Sequence, residues 1–99
     1  MPRRLRRLPA LALGDGLRLL IADTWRARLV GLAGLRRPPP DVALLLARCR
    51  CVHTAGMRWP LDLIWLDAEG GVARVDRAVP PWRVRRCRSA RAVIELPAL

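Results

Sequence analysis

The residues able to do chemistry in this chain crowd into one stretch. Residues 49–67, CRCVHTAGMRWPLDLIWLD, hold the single His, two of the three Cys, a Met and two Asp around an apolar run. Cys49, Cys51 and His53 alternate, so an extended strand would aim all three at one face. Cys87, far along the chain, would complete a Cys3His set of the kind zinc accepts in tetrahedral geometry. The spacing differs from the paired C-x2-C of zinc knuckles. The simpler reading makes the thiols small core residues and His53 a structural hydrogen-bonding group. No cofactor is therefore expected, with zinc at Cys49, Cys51, His53 and Cys87 as the alternative. An enzymatic version would have Cys49 or Cys51 ionised by His53 or Arg50, with Asp62 orienting the imidazole. No Gly-rich loop stands beside these Cys to form an oxyanion pocket, and no catalytic residue is assigned.

Asp62 is the second candidate. It follows Pro60 inside the apolar run 61–66, where a carboxylate must be paired or hydrogen-bonded to stay charged. Arg28 is the first partner expected and Arg58 the second. One reading is a structural ion pair. The other is one wall of a small polar pocket lined by His53, Thr54, Met57 and Trp82, in which Arg28 meets an anionic group. Trp82 follows Pro80 and Pro81. Stacking on a sugar ring or base is its sharper reading, and a plug over the end of a barrel is the expectation. Asp67 reads as a hairpin residue.

The elements that must position these groups are mainly strands. Asp15-Gly16 signals a turn before a strand over 17–22, and Thr24 caps a short helix over 25–35 that stops before Pro38, Pro39 and Pro40. Gly31 and Gly34 weaken that helix by about 1 kcal/mol each, so packing must hold it. A strand follows over 42–48, continued or paired by 49–54. The run 61–66 is apolar enough for a strand covered on both faces, with Trp65 in the core. Residues 67–71 form a hairpin loop, 72–78 return, Pro80 and Pro81 break the strand, and 92–96 make the last one. No βαβ rhythm and no repeat is present. The fold expected is mostly β: a single compact β-barrel or sandwich with one short α-helix over residues 15–99, after a basic flexible arm at 1–14.

Composition sets the bounds. A chain of 99 residues, 53% hydrophobic, has room for one domain with one modest core. No stretch approaches the roughly 20 continuous apolar residues of a membrane helix, so no membrane span is expected. The net charge of +11 comes from 19 basic residues, all Arg. An anionic partner would favour this, but an Arg, Ala, Leu and Pro excess also reflects a GC-rich genome. Nucleic-acid surfaces usually interleave exposed aromatics, and four Trp are the only aromatics here. The partners expected are a small ligand or an acidic protein, with nucleic acid as the less favoured alternative. The basic run 83–91 reads as solvated charge by default. An odd Cys count argues against a disulfide framework and for a reducing compartment. Residues 1–14 start basic, but Pro9 interrupts their short apolar part. A cytoplasmic location is expected, with secretion through residues 1–14 as the alternative.

Across most of its length the chain resembles the small bacterial and archaeal family known as domain of unknown function 192. Thr24, Arg28, Gly31 and Leu32 are similar to its Thr-x3-Arg-x2-Gly-Leu entry into the helix. His53, Thr54, Met57, Pro60, Leu61, Asp62, Leu66 and Asp67 resemble the His-Thr-x2-Met-x2-Pro-Leu-Asp-x3-Leu-Asp core of one branch. Gly70, then Pro81, Trp82 and Arg83, then Glu95-Leu96-Pro97-Ala98 follow in the family's order. The resemblance implies a compact β-rich fold and no settled reaction. Another branch carries Trp-Met-Lys-Asn-Thr where this chain has residues 53–57, which argues against a family-wide catalytic His. Relatives also continue to a Gly-Asp-containing final strand where this chain has Pro97-Ala98-Leu99. The expectation is a short variant or an unpaired sheet edge.

Overall fold

Alternation of buried and half-buried side chains builds the architecture. The structure is a computed structural model that describes residues 10–12, 18–22 and 42–98. In β5 (Leu61–Leu66), Leu61, Leu63 and Trp65 are fully buried, while Asp62, Ile64 and Leu66 are half-buried on the other face. In β8 (Ala92–Pro97), Val93 and Glu95 point inward in the same way. The other strands are β1 (Ala10–Ala12), β2 (Arg18–Ala22), β3 (Val42–Ala47), β4 (Cys51–His53), β6 (Val72–Val79) and β7 (Val84–Arg86).

Six of these make one sheet in the order β1-β2-β3-β8-β5-β6. β2 and β3 run parallel, and every other neighbouring pair is antiparallel. The register lines up Leu20, Leu44, Glu95 and Leu63 across four strands, with Ala22, Leu46, Val93 and Trp65 in the next row. All eight are buried, so one face of the sheet is the core.

β4 and β7 form a separate antiparallel ribbon in which Cys51 opposes Arg86, Val52 opposes Arg85 and His53 opposes Val84. Its ladder extends at one end by the Cys87 N–H to the Arg50 carbonyl, 2.9 Å, and at the other by the Thr54 N–H to the Arg83 carbonyl, 2.8 Å. Val52 points inward, while Cys51, His53, Val84 and Arg86 are exposed. Val52, Met57, Cys87 and Ala90 join the sheet residues in one hydrophobic cluster. The radius of gyration, 12.3 Å, is that of a compact domain of this length.

The fold is thus mostly β and compact, as the sequence pattern indicates. Among the described residues the sheets do not close into a barrel: β1 and β6 remain edges. The helix expected over 25–35 lies outside the described residues. Ala10–Ala12, inside the segment read as an arm, pairs with β2. β7 falls in the run read as solvated charge. Its sequence, Val-Arg-Arg, has no apolar alternation, and its strand character comes from pairing with β4. Among the described residues no helix is long and apolar enough to cross a membrane.

The β5–β6 hairpin is locked by Asp67, whose Oδ1 accepts from the Glu69 and Gly71 N–H groups at 3.0 and 2.8 Å. Gly70 takes the positive φ of 82° that the turn needs. Behind it the Trp65 indole Nε1 donates to Asp76 Oδ2 at 2.9 Å, which satisfies a buried donor. The Arg74 guanidinium, paired to the same oxygen at 2.9 Å, lies 5.5 Å from the indole ring centre. Leu63 has no exposed surface and sits between Glu95 and the second strand of this hairpin. Leu63→Ala is expected to lower the unfolding free energy by about 2–5 kcal/mol, measured by urea denaturation.

Candidate functional site

The candidate site is organised by Thr54, which is 1% exposed. Its hydroxyl donates to the Pro80 carbonyl at 2.7 Å and accepts from the Arg83 N–H at 2.8 Å. Its own carbonyl accepts from the Met57 N–H at 3.1 Å and from the Trp82 N–H at 3.2 Å. The first of these closes a tight turn over residues 54–57, where Gly56 has φ 81°. Pro80 directly follows β6 and Arg83 directly precedes β7, so one side chain ties sheet to ribbon. Thr54 is spent on this bracing.

Trp82 sits between the two braced residues with φ 63°, a left-handed conformation that costs a non-glycine residue roughly 1–2 kcal/mol. The ring is 71% exposed. It therefore does not plug the end of the fold, contrary to expectation. Next to it in the ribbon are the exposed pair His53 and Val84, the latter 56% exposed. Met57 is buried beneath the turn as part of the core cluster. The structure thus brings Thr54, Met57, Trp82 and His53 to one end of the ribbon, with Thr54 and Met57 as support and His53 and Trp82 as surface.

Asp62 has a local task. The β5–β6 register shifts between Leu61 and Leu63, which leaves one extra residue in β6, and Ala78 there has φ 50°. Asp62 Oδ1 accepts the Ala78 N–H at 2.8 Å and so replaces a lost ladder bond. Its other oxygen lies 4.0 Å from the guanidinium of Arg77, whose side chain is 81% exposed, which makes a weak surface pair. Among the described residues Arg58 makes no ion pair with Asp62, and Arg28 lies outside them.

The Cys and His residues are not gathered. Cys51 and His53 share the outer face of β4, as alternation requires, whereas Cys87 is buried. The Cys49 thiol donates to the Cys51 carbonyl at 3.2 Å, and that of Cys87 lies 3.6 Å from the Ser89 hydroxyl. Among the described residues none of the three Cys is in a disulfide. Among the described residues no group of three His, Cys, Asp or Glu is placed to hold a metal ion.

Glu95 is the polar residue that sequence reasoning passed over. It lies in the central strand between Leu44 and Leu63, 4% exposed, and among the described residues its Oε1 has no hydrogen-bond partner. Burial pushes its carboxyl up to about 7. The signal was one acid in an otherwise apolar strand, Ala-Val-Ile-Glu-Leu, at the inward phase set by Val93.

Among the described residues, a six-stranded sheet with a two-stranded ribbon packed into the same hydrophobic cluster defines a small, mostly β domain. The chain belongs to the DUF192 family (uncharacterized ACR), whose model matches residues 12–98. Two solved structures share the fold. A proposed transcription regulator from Sinorhizobium meliloti 1021 is 22% identical, with a TM-score of 0.74 over 83% of this chain and 69% of that one. A protein of unknown function from Novosphingobium aromaticivorans DSM 12444 is 13% identical, with a TM-score of 0.73 over 99% and 87%. No curated protein matches the chain.

Thr54→Val keeps the shape but removes the hydroxyl, leaving the Arg83 N–H and the Pro80 carbonyl short of a partner. The expected cost is about 1–3 kcal/mol in chemical denaturation. Glu95 predicts a pH dependence. Unfolded, it titrates near 4.5; folded, near 7. In that window the native state keeps a proton that the unfolded chain releases, so stability falls as pH rises from about 4.5 to about 7 and then levels off. The loss has an upper bound of roughly 3 kcal/mol. Melting curves across this range should show the decline in the native sequence and a flattened profile in Glu95→Gln.

Proposed function

We propose that this is a binding domain with no chemistry of its own, whose ligand is a small anionic or polar molecule or a peptide end. His53 and Trp82 meet the ligand. Thr54 and Met57 fix the turn from beneath, Asp62 holds the neighbouring bulge of β6, and Arg28 is the cation for an anionic group. The observation that carries this reading is the state of Trp82. A large aromatic ring stands in water on a strained backbone that four hydrogen bonds between Thr54 and residues 80–83 hold around it. Strain maintained by surrounding structure is characteristic of recognition sites, and an exposed, rigid Trp offers contact area at small entropic cost. Against catalysis stands the geometry of the reactive groups: Cys51 and His53 lie on an open face, and Asp62 is held by the Ala78 N–H. The fold shared with the Sinorhizobium protein carries no function across, because unrelated functions occupy the same fold.

Two-dimensional amide NMR of the isotope-labelled full chain tests this. Glutarate, inorganic phosphate and a short peptide with a free carboxylate are the probes. The expected result is that at least one shifts the Trp82 indole signal, identified through Trp82→Ala, together with the amides of His53 and Arg83. Shifts confined to other surfaces, or none at millimolar probe, would refute the site.

A further inference from the structure

The ribbon and its flanks differ in charge from the rest of the molecule. Residues 79–94 carry Arg83, Arg85, Arg86, Arg88 and Arg91 and no acid, and residues 46–61 likewise carry arginines and no acid. All 8 carboxylates of the chain lie elsewhere in the sequence, with Asp62, Asp67, Glu69 and Asp76 grouped on the β5–β6 hairpin. A genomic preference for Arg explains the number of arginines. It does not explain why, among the described residues, the ribbon and its flanks carry arginines and no acid.

Among the described residues no carboxylate pairs with Arg83, Arg85, Arg86 or Arg88; the two ion pairs present involve Arg74 and Arg77. Arg83 and Arg85 donate only to the carbonyl of the preceding residue, at 3.3 and 3.0 Å, which leaves their charge uncompensated. Arg86 is exposed on the outer face of β7, and Arg88 is exposed just beyond it. Trp82 stands at the other end of the same strand, next in the chain to Arg83. The case against a nucleic-acid partner was the want of an exposed aromatic among the arginines. Trp82, 71% exposed, supplies one.

We propose that the partner of the Trp82 turn is single-stranded nucleic acid, with one base stacked on the Trp82 indole and phosphates met by Arg83, Arg86 and Arg88. This rests on the reading of that turn as a binding site. Arginine forks match phosphate oxygens, and a base stacks on an indole whatever its sequence, so the contact is sequence-tolerant. A short ribbon that offers an exposed ring at one end suits a flexible strand whose bases are splayed. A duplex hides those faces in its stack. An acidic peptide would use the arginines but has no need of a bare indole.

Fluorescence anisotropy on the full chain tests this, with a labelled single-stranded 12-mer of mixed sequence, the same sequence as duplex, and a polyglutamate peptide. The single strand is expected to bind tightest, with affinity falling between about 50 and 200 mM salt. Trp82→Ala should weaken it about 5- to 150-fold without changing the salt slope, and Trp82→Phe should recover part of the loss. Arg86→Gln with Arg88→Gln should reduce the slope by roughly 0.7 per contact removed. Unchanged binding by Trp82→Ala would show only the general attraction of a cation of this charge and overturn the proposal. Tighter binding of polyglutamate, or no binding of the single strand at low salt, would do the same. An upfield shift of the Trp82 indole proton when the 12-mer is added to the unaltered protein reads the stacking without any substitution. If the 12-mer leaves that signal still while glutarate or phosphate moves it, the binding turn stands and the partner is wrong. If neither moves it, both readings fall.

Discussion

One face of the six-stranded sheet has to be kept from water, and the β4–β7 ribbon packs Val52, with Met57, Cys87 and Ala90 at its flanks, into the cluster on that face. Eight residues in two registered rows present that face, seven of them apolar and one, Glu95, an acid. A ribbon of two short strands is marginal by itself and persists only where it is anchored. The Thr54 hydroxyl supplies the anchor, bridging the carbonyl after β6 and the amide before β7. Because that oxygen is both donor and acceptor in a buried place, no apolar residue of the same shape replaces it. The strained backbone at Trp82 follows from the anchor, since the chain must turn between its two attachment points.

The surface reading depends on this geometry more than on composition. A net charge of +11 says little when it is spread evenly. Here three of the hairpin's four carboxylates are occupied: Asp67 by its own turn, Asp76 by Trp65 and Arg74, Asp62 by the β6 bulge. The ribbon holds guanidinium groups that meet no carboxylate among the described residues. The two layers differ in electrostatic character, and the exposed indole lies on the basic one.

Much of the framework was legible because burial leaves a period in the sequence. The runs over 17–22, 42–48, 61–66, 72–78 and 92–96 coincide with strands β2, β3, β5, β6 and β8 to within a residue or two. The role of Asp67 was readable from the Gly70-Gly71 pair that follows it. β7 was not, because Val-Arg-Arg shows no pattern and becomes a strand through a partner about 30 residues away in the chain. Trp82 was misread as a plug for a related reason: its exposure is decided by a positive φ, and neither Pro80-Pro81 nor the ring itself announces one. Asp62 was correctly seen as needing a partner. The partner is a bulge amide, which exists only once β5 and β6 have paired out of step.

The place of β8 has a consequence for how the molecule comes into being. Among the described residues it separates β3 from β5, so the ladder joins β1-β2-β3 to β5-β6 only through it. A ribosome adding residues in order therefore releases the two strand groups before the strand that joins them. Completing this sheet waits for β8 and closes long loops at once, the slow, non-local kind of assembly.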